Sequence, residues 1–410
     1  MMKRLAFTFV LCFATVSFAA GAEAISLAQL QREAQRVSPD LQSVARQIEA
    51  ARAATRQAGR WTNPTLSISA DREEQEIALR QTFDVWGKLP LARQIAMTDA
   101  ETTVARLSIA RLDLRYEVAR QFWTLAAAER RSALLESELA DWRRLFAIRE
   151  GELKAGEIAT SDLLTAQSLA AQRRQERWKL ASDATTSRVA LNVLTGHNAD
   201  APLRIDADIK RQGTSATSGR EAITQALAAH PLLVQTRARL TAAGYRVRQE
   251  KRRWLPDPTL GPFARNTPEE TFAGFTVSFS LPILDRNRDG IRSAAASEAA
   301  VQAEIGSAER SIAQEAFTAF QLRAQALAAF EELNDLLTGP AARQLALAEE
   351  SFKLGAISER DLLSARIDRS QRQQELAALR AQIGLADARL TRALAQPERE
   401  LSWTRTDSKN

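Results

Sequence analysis

Two aspartates, Asp162 and Asp361, occupy the same place in two copies of one segment. Lys154-Ala-Gly-Glu-Ile-Ala-Thr-Ser-Asp-Leu-Leu-Thr-Ala recurs 199 residues later, without a gap, as Lys353-Leu-Gly-Ala-Ile-Ser-Glu-Arg-Asp-Leu-Leu-Ser-Ala. Between Lys154–Glu176 and Lys353–Glu375, 11 of 23 positions are identical, so the chain is one unit written twice. Gly156 and Gly355 can each end a helix in the left-handed conformation. Ser161 or Thr160 in the first copy, and Ser358 in the second, can cap the helix that follows. Each aspartate then lies in a first helical turn, where the helix dipole favours negative charge.

Other reactive side chains are scarce. Beyond residue 24 the chain has two histidines, His197 and His230, one methionine, Met97, and no cysteine. These residues lack the soft and imidazole ligands of a selective transition-metal site, so neither a resident metal nor a cofactor is expected. His230, just before Pro231, reads as a helix-start residue. The sequence contains no glycine-rich phosphate loop and no Ser-x-Gly nucleophile turn, and its carboxylates form no cluster distinct from surface charge. The chain is therefore not expected to be an enzyme.

The positions flanking the repeated turn also repeat. Ser38-Pro39 corresponds to His230-Pro231, Trp61 through Leu66 to Trp254 through Leu260, and Phe83 through Lys88 to Leu281 through Arg286. Two repeats follow, 25–197 and 219–396, joined by a linker at 198–218 containing Asn198, Pro202 and Gly213, and followed by a tail at 397–410. Each repeat reads as helix, β-hairpin (64–84 and 258–282), very long helix, tip turn (154–162 and 353–361) and helix. Helical spacing runs from Leu27 to about Gly59. Period-two alternation follows at Thr65–Ala70 and Ile77–Phe83, with counterparts near Thr259–Arg265 and Phe272–Leu281. The helix from about Leu91 to Lys154 would be a rod of about 90 Å at about 1.5 Å per residue. Its counterpart, from about Gly290 to Phe352, is expected to kink or break at Gly339-Pro340.

Residues 1–24 read as a secretory signal: Lys3-Arg4, an apolar run from Leu5 to Phe18, then Ala20-Gly-Ala22, with cleavage after Ala22 or Ala24. Cys12 follows Phe-Val-Leu rather than the small residue a lipoprotein site requires, so lipidation is not expected. Removing Lys3 and Arg4 from the 56 basic residues leaves 54 against 50 acidic ones if cleavage follows Ala22. Arginine and glutamate are interspersed along the helices, which marks solvated faces and argues against nucleic-acid binding.

No later stretch approaches the roughly 20 apolar residues of a membrane helix. A chain of this kind can span a bilayer only as a closed β-barrel, where every backbone group is paired. Two hairpins supply four strands, too few to close a barrel, so spanning demands an oligomer. Trp61, Trp86 and Trp254 lie at helix–strand junctions, either as an interfacial belt or as caps on packed helix ends.

The twofold repeat, the Gly-x-Ile-x-x-x-Asp-Leu-Leu turns and the run Leu281-Pro-Ile-Leu-Asp-Arg-Asn-Arg-Asp-Gly-Ile-Arg292 resemble the outer-membrane efflux proteins of the TolC family. The resemblance extends from about Ile25 to Pro397. The Pro-Ile-Leu-Asp-Arg-Asn run looks most like the branch serving cobalt, zinc, cadmium and copper efflux. The resemblance implies a mainly α fold with a small β-barrel part: a homotrimer whose twelve strands form one barrel in the outer membrane, continued by a periplasmic helical tube. It further implies a passive exit duct that docks a periplasmic adaptor and an inner-membrane pump of the resistance-nodulation-division type. The cargo would be heavy-metal cations, with drug or polypeptide export as the nearer alternative. A periplasmic coiled-coil scaffold without a pore is the alternative of another class, but it leaves the matched hairpins unexplained.

By the same resemblance the tip turns form the gate. Asp162 would join a network constricting the entrance, and Asp361, with Glu359, would form an acidic ring attracting cations. The family's aromatic and arginine gating positions are occupied here by Phe352 and Ile357, which leaves Arg360 as the candidate replacement. Lys154, Gly156, Ile158, Lys353, Gly355 and Ile357 are candidates for docking the adaptor. The two isoleucines could equally be buried staples within the turns.

Overall fold

Proline sets where the first helices break. The computed structural model describes residues 24–72, 74–207 and 216–396. The basic and apolar part of the signal, Cys12, the middle of the linker and the tail lie outside the described residues. The helical stretch expected as continuous from Leu27 to Gly59 is two helices, α1 (Leu27–Val37) and α2 (Pro39–Ala58). A residue before proline is pushed out of the helical region, and Pro39 lacks the N–H that would continue the ladder. Ser38 adopts φ −55°, ψ 117°, and its Oγ accepts from Leu41 N at 3.3 Å. The second repeat breaks alike between α5 (Gly219–Ala229) and α6 (Pro231–Arg253), where His230 is the N-cap and its Nδ1 accepts from Leu232 N at 3.2 Å.

The long helix of the first repeat is unbroken: α3 (Lys88–Lys154) has 67 residues, about 100 Å at about 1.5 Å per residue. It is followed by α4 (Thr160–Thr195). Its counterpart is split at Gly339 (φ −99°, ψ −98°) into α7 (Arg288–Thr338) and α8 (Pro340–Lys353), as Pro340 requires, and α9 (Glu359–Ala393) returns. Near the hairpins the helices lie side by side in the order α2, α3, α6, α7; toward the tips the order is α4, α3, α9, α8. Thus α3 is the common spine.

Small side chains bring these rods together, and a few large ones lock them. Val118, Phe122, Trp123 and Leu125 of α3 are buried with Leu30 and Ala34 of α1, Leu191 of α4 and Leu203 of the linker. Here the linker's described residues are pinned rather than free. Ile25 and Ile205 form a parallel bridge, and Asn192 Nδ2 donates to the carbonyls of Ala199 and Ala201 at 3.2 and 2.9 Å. Lower down, the fully buried Glu138 of α3 accepts from Trp142 Nε1, Gln371 Nε2 and Gln374 Nε2 at 3.1, 3.2 and 2.6 Å, and Arg173 Nε of α4 lies at 3.4 Å. One paired carboxylate therefore ties α3, α4 and α9, and breaking such a buried network is costly.

Strands β1 (Thr65–Ala70), β2 (Gln75–Thr82), β3 (Thr259–Asn266) and β4 (Thr271–Ser278) form one antiparallel sheet in chain order. The last pair is Thr259↔Ser278, so β4 ends there rather than at Leu281, because β3 begins after Pro258 and offers 279–281 nothing to pair with. Alternation sorts the faces. Leu66, Ile68, Ile77, Leu79, Phe275 and Val277 share one face and are all exposed, whereas Ser67, Ser69, Glu76, Arg80, Arg265 and Thr276 share the other. The outer edges of β1 and β4 pair with no described strand of this chain.

His230 generates a pH prediction, since Nδ1 must be unprotonated to accept the Leu232 N–H. Burial first, and then Arg392, holds its pKa below the ordinary 6.5 despite Glu315 and Asp113 nearby. A depressed folded-state pKa means the cap is complete above about 6.5 and is lost as pH falls through the lower folded-state value. Loss of such a cap costs about 1 kcal/mol. His230→Asn, whose amide oxygen caps at any pH, should flatten the decline in thermal stability between pH 7 and pH 5. Identical declines in both proteins would refute this role.

Candidate functional site: the paired helix tips

The two tip turns close with the same three backbone bonds. In the first, Ala155 N donates to Gly151 O at 3.0 Å, Gly156 N to Leu153 O at 3.0 Å and Glu157 N to Glu152 O at 2.8 Å. In the second, Leu354 N, Gly355 N and Ala356 N donate to Glu350 O, Phe352 O and Ser351 O at 3.0, 3.0 and 2.8 Å. This is the Schellman arrangement, and it places Gly156 at φ 77° and Gly355 at φ 71°, where a side chain is strained. Ile158 and Ile357 follow, both half-buried, at the position from which a staple packs onto Leu163 and Leu362 of the next helix. Lys154, Lys353 and Phe352 are exposed at the ends of α3 and α8, and Leu354 is 78% exposed.

Beyond the glycine the turns part company. Ser358 caps α9 in a full capping box: its Oγ accepts from Asp361 N at 3.2 Å, and Asp361 Oδ2 accepts from Ser358 N and Oγ at 3.3 and 2.6 Å. The Ser358 hydroxyl above all, then its N–H and Arg360, holds the Asp361 carboxyl below the usual carboxylate range. In the first turn the capping expected of Thr160 or Ser161 does not occur. Those residues are already inside α4, and the gapless repeat puts Ala159, which has no side-chain acceptor, at the N-cap. Asp162 sits in the first turn, exposed, and its carboxylate has no hydrogen bond among the described residues.

Arg360 leaves its own turn. Its Nη1 lies 3.4 Å from Glu152 Oε1 in the last turn of α3, and its Nε lies 3.6 Å from Asp361 Oδ1. The second tip is thereby bridged to the first, with Glu359 exposed beside it. Glu152 Oε2 is buried and makes no hydrogen bond among the described residues. Sequence reasoning missed Glu152, although the repeat carried a signal: its counterpart 199 residues on is Ser351, so the two halves differ where Arg360 needs a partner.

At the opposite end of the rods, Trp61 meets Phe83 edge to face at 5.6 Å, and Trp86 Nε1 donates to Pro256 O at 2.8 Å. Lys88 Nζ reaches Leu255 O and Asp257 Oδ2 at 2.6 and 2.8 Å. Trp61, Trp86 and Trp254 are all substantially exposed where helices give way to strands. His197 accepts or donates at Nδ1 with Thr195 Oγ1 at 3.0 Å, far from His230 in sequence and role. Among the described residues no three His, Cys, Asp or Glu side chains could hold a metal ion together.

A family profile described as Outer membrane efflux protein matches residues 30–197 and 222–396. This chain belongs to that family. The nickel-cobalt-cadmium resistance protein NccC of Alcaligenes xylosoxydans xylosoxydans is 25% identical over 309 residues, 72% of this chain and 69% of that protein. The nickel and cobalt resistance protein CnrC of Cupriavidus metallidurans is 24% identical over 305 residues, 71% and 72% respectively. Among solved structures, CusC matches with a TM-score of 0.70 at 18% identity, covering 90% of this chain and 91% of its own. The fold is thus that of the outer-membrane channels, a β-barrel part continued by a helical tunnel, and the protein is an outer-membrane efflux channel with a long periplasmic helical part. Family and fold are those of channels rather than enzymes.

The unequal caps give a direct test. Ala159→Ser supplies the missing acceptor and should stabilise the first turn by about 1 kcal/mol, while Ser358→Ala should cost the second about as much. Amide exchange at Asp162 should slow in the first variant and that at Asp361 quicken in the second. Unchanged exchange in both would show that the caps do not hold these turns.

Proposed function

We propose that the protein is the homotrimeric exit duct of a tripartite system, carrying heavy-metal cations handed over by an inner-membrane pump through a periplasmic adaptor. One observation carries the reading: a four-stranded sheet with an exposed apolar face and two edges unpaired within the chain. In hydrocarbon such edges must be closed. Pairing β4 of one protomer with β1 of the next is a head-to-tail contact, which closes into a ring when the rotation permits. Three copies make twelve strands.

The helices support the same ring. On one side of the protomer α4 exposes Leu164, Leu169, Val193 and Trp178, the last 77% exposed; on the other, α7 and α8 expose Phe317 and Leu347. Apolar stripes at opposite edges suit a heterologous interface. The polar face of the sheet then lines the lumen and the apolar face meets lipid, with Trp61, Trp86 and Trp254 at the membrane boundary. The first 24 residues act as a cleaved signal, and Cys12 leaves with them.

The tips serve as gate and docking surface in this reading. The bridge from Arg360 to Glu152 holds the two hairpins of a protomer together. Asp162 and Asp361, with Glu359 and Phe352, line the aperture. Lys154, Gly156, Ile158, Lys353, Gly355 and Ile357 offer the adaptor similar chemistry at six turns around the trimer. The names of NccC and CnrC support a metal cargo.

The protein should extract only with detergent, run as a trimer and conduct ions in a planar bilayer, and a soluble monomer without conductance would overturn the reading. Arg360→Ala should raise conductance severalfold by releasing the bridge between the tips. Deletion of the gene should sensitise cells to nickel, cobalt or cadmium more than to dyes and antibiotics. Unchanged metal tolerance would turn the assignment toward another cargo.

A further inference from the structure

The polar face of the sheet carries a second charged assembly, at the end farthest from the tips. Across the four strands one row reads Ser69, Glu76, Arg265, Phe272, and the next row toward the helices reads Ser67, Ala78, Phe263, Gly274. Arg265 is held from several directions. Its Nε lies 2.5 Å from Glu74 Oε1, its Nη2 lies 2.6 Å from Glu76 Oε2, and its guanidinium carbon is 5.8 and 5.6 Å from the ring centres of Phe263 and Phe272. Those two rings meet edge to face at 6.2 Å. Phe263 lies against Gly274, where a Cβ would come within 2.7 Å of two ring carbons. Arg80 Nη2 stands 3.6 Å from the other oxygen of Glu76.

A cross-strand ion pair at a surface contributes little stability and needs no further explanation. This one is built differently. Two aromatic rings and a glycine fix a guanidinium against the wall and between the carboxylates of Glu74, just before β2, and Glu76 within it. Glu74 and Glu76 are each satisfied by arginine, so the charges balance locally.

We propose that Arg265, clamped by Glu74 and Glu76, is a selectivity-determining residue at the outer mouth of the barrel, where it keeps a paired-carboxylate site from retaining divalent cations as they leave. The inference rests on the trimeric duct reading, in which the row repeats three times around the lumen. Conduction requires that a pore bind its cargo weakly enough to release it. Twelve strands about 4.8 Å apart and tilted by about 40° give a barrel about 24 Å across, a radius of about 12 Å. The Debye length is about 10 Å at 0.1 M salt and about 3 Å at 1 M, so wall charges reach the pore axis only at low salt.

The test is planar-bilayer recording of the trimer at 0.1 M and 1 M potassium chloride, with magnesium added on the hairpin side. Arg265→Gln removes the arginine that Glu74 and Glu76 share and leaves only Arg80, 3.6 Å from Glu76, against the two carboxylates of each protomer. It should shift the reversal potential toward cation selectivity and lower the magnesium concentration that halves the current by about tenfold, with both effects fading at 1 M. The double variant Glu74→Gln, Glu76→Gln leaves Arg265 uncompensated and should shift selectivity toward anions, which guards against a single variant that fails to assemble. Conducting trimers whose selectivity and magnesium block match the parent's in both variants would overturn the role of Arg265 and leave the duct intact. A parent protein that conducts nothing overturns the duct and the role of Arg265 together.

Discussion

The backbone of an open sheet edge is the constraint from which the rest follows. In water, β1 and β4 could leave their outer N–H and C=O groups to solvent; in hydrocarbon each such group left bare costs several kcal/mol. The apolar row of Leu66, Ile68, Ile77, Leu79, Phe275 and Val277 commits the sheet to hydrocarbon. Four strands cannot curl far enough to satisfy themselves. In the proposed trimer, membrane insertion, oligomerisation and the existence of a lumen are one requirement seen from three sides.

The helical part answers a different demand, that of holding a long thin wall in register. Alanine-rich helices pack closely but specify little, since small side chains slide past one another at low cost. Specificity comes from a few places where sliding would strand something: Glu138 and its four donors, the Phe122–Trp123 cluster against α1 and the linker, and Arg360 on Glu152. The first and last of these lie where α3 meets the other hairpin. The spine common to both halves is also where the polar ties gather.

Much of this was legible in the sequence because the repeat carried it. Two gapless turns announced their glycines, and Pro340 marked the break in the second long helix. The misreadings have physical causes. Ser38-Pro39 interrupts an otherwise continuous helical pattern of Ala, Gln, Arg and Glu, and the break lies in backbone conformation rather than in composition. Thr160 and Ser161 looked like caps by type, but the register set by Gly156 places Ala159 at the cap. Glu152 left one trace, its mismatch with Ser351 in the repeat, but Glu138 and Arg265 were not legible, for each depends on a partner more than thirty residues away, and a charged residue on an Arg- and Glu-rich helix or strand gives no sign of which neighbour it will find.

The uneven treatment of the two long helices has a mechanical meaning. One stave of the wall, α3, runs unbroken from membrane to tip; the other is jointed at Gly339, where the backbone leaves the helical region and Pro340 begins a new rod of 14 residues. That rod is a lever about 21 Å long. Turning it through ten degrees at the joint carries Leu354 sideways by about 4 Å while everything above stays put. A duplicated gene has thus produced one continuous post and one jointed post, and the length beyond the joint is fixed by where the proline was placed.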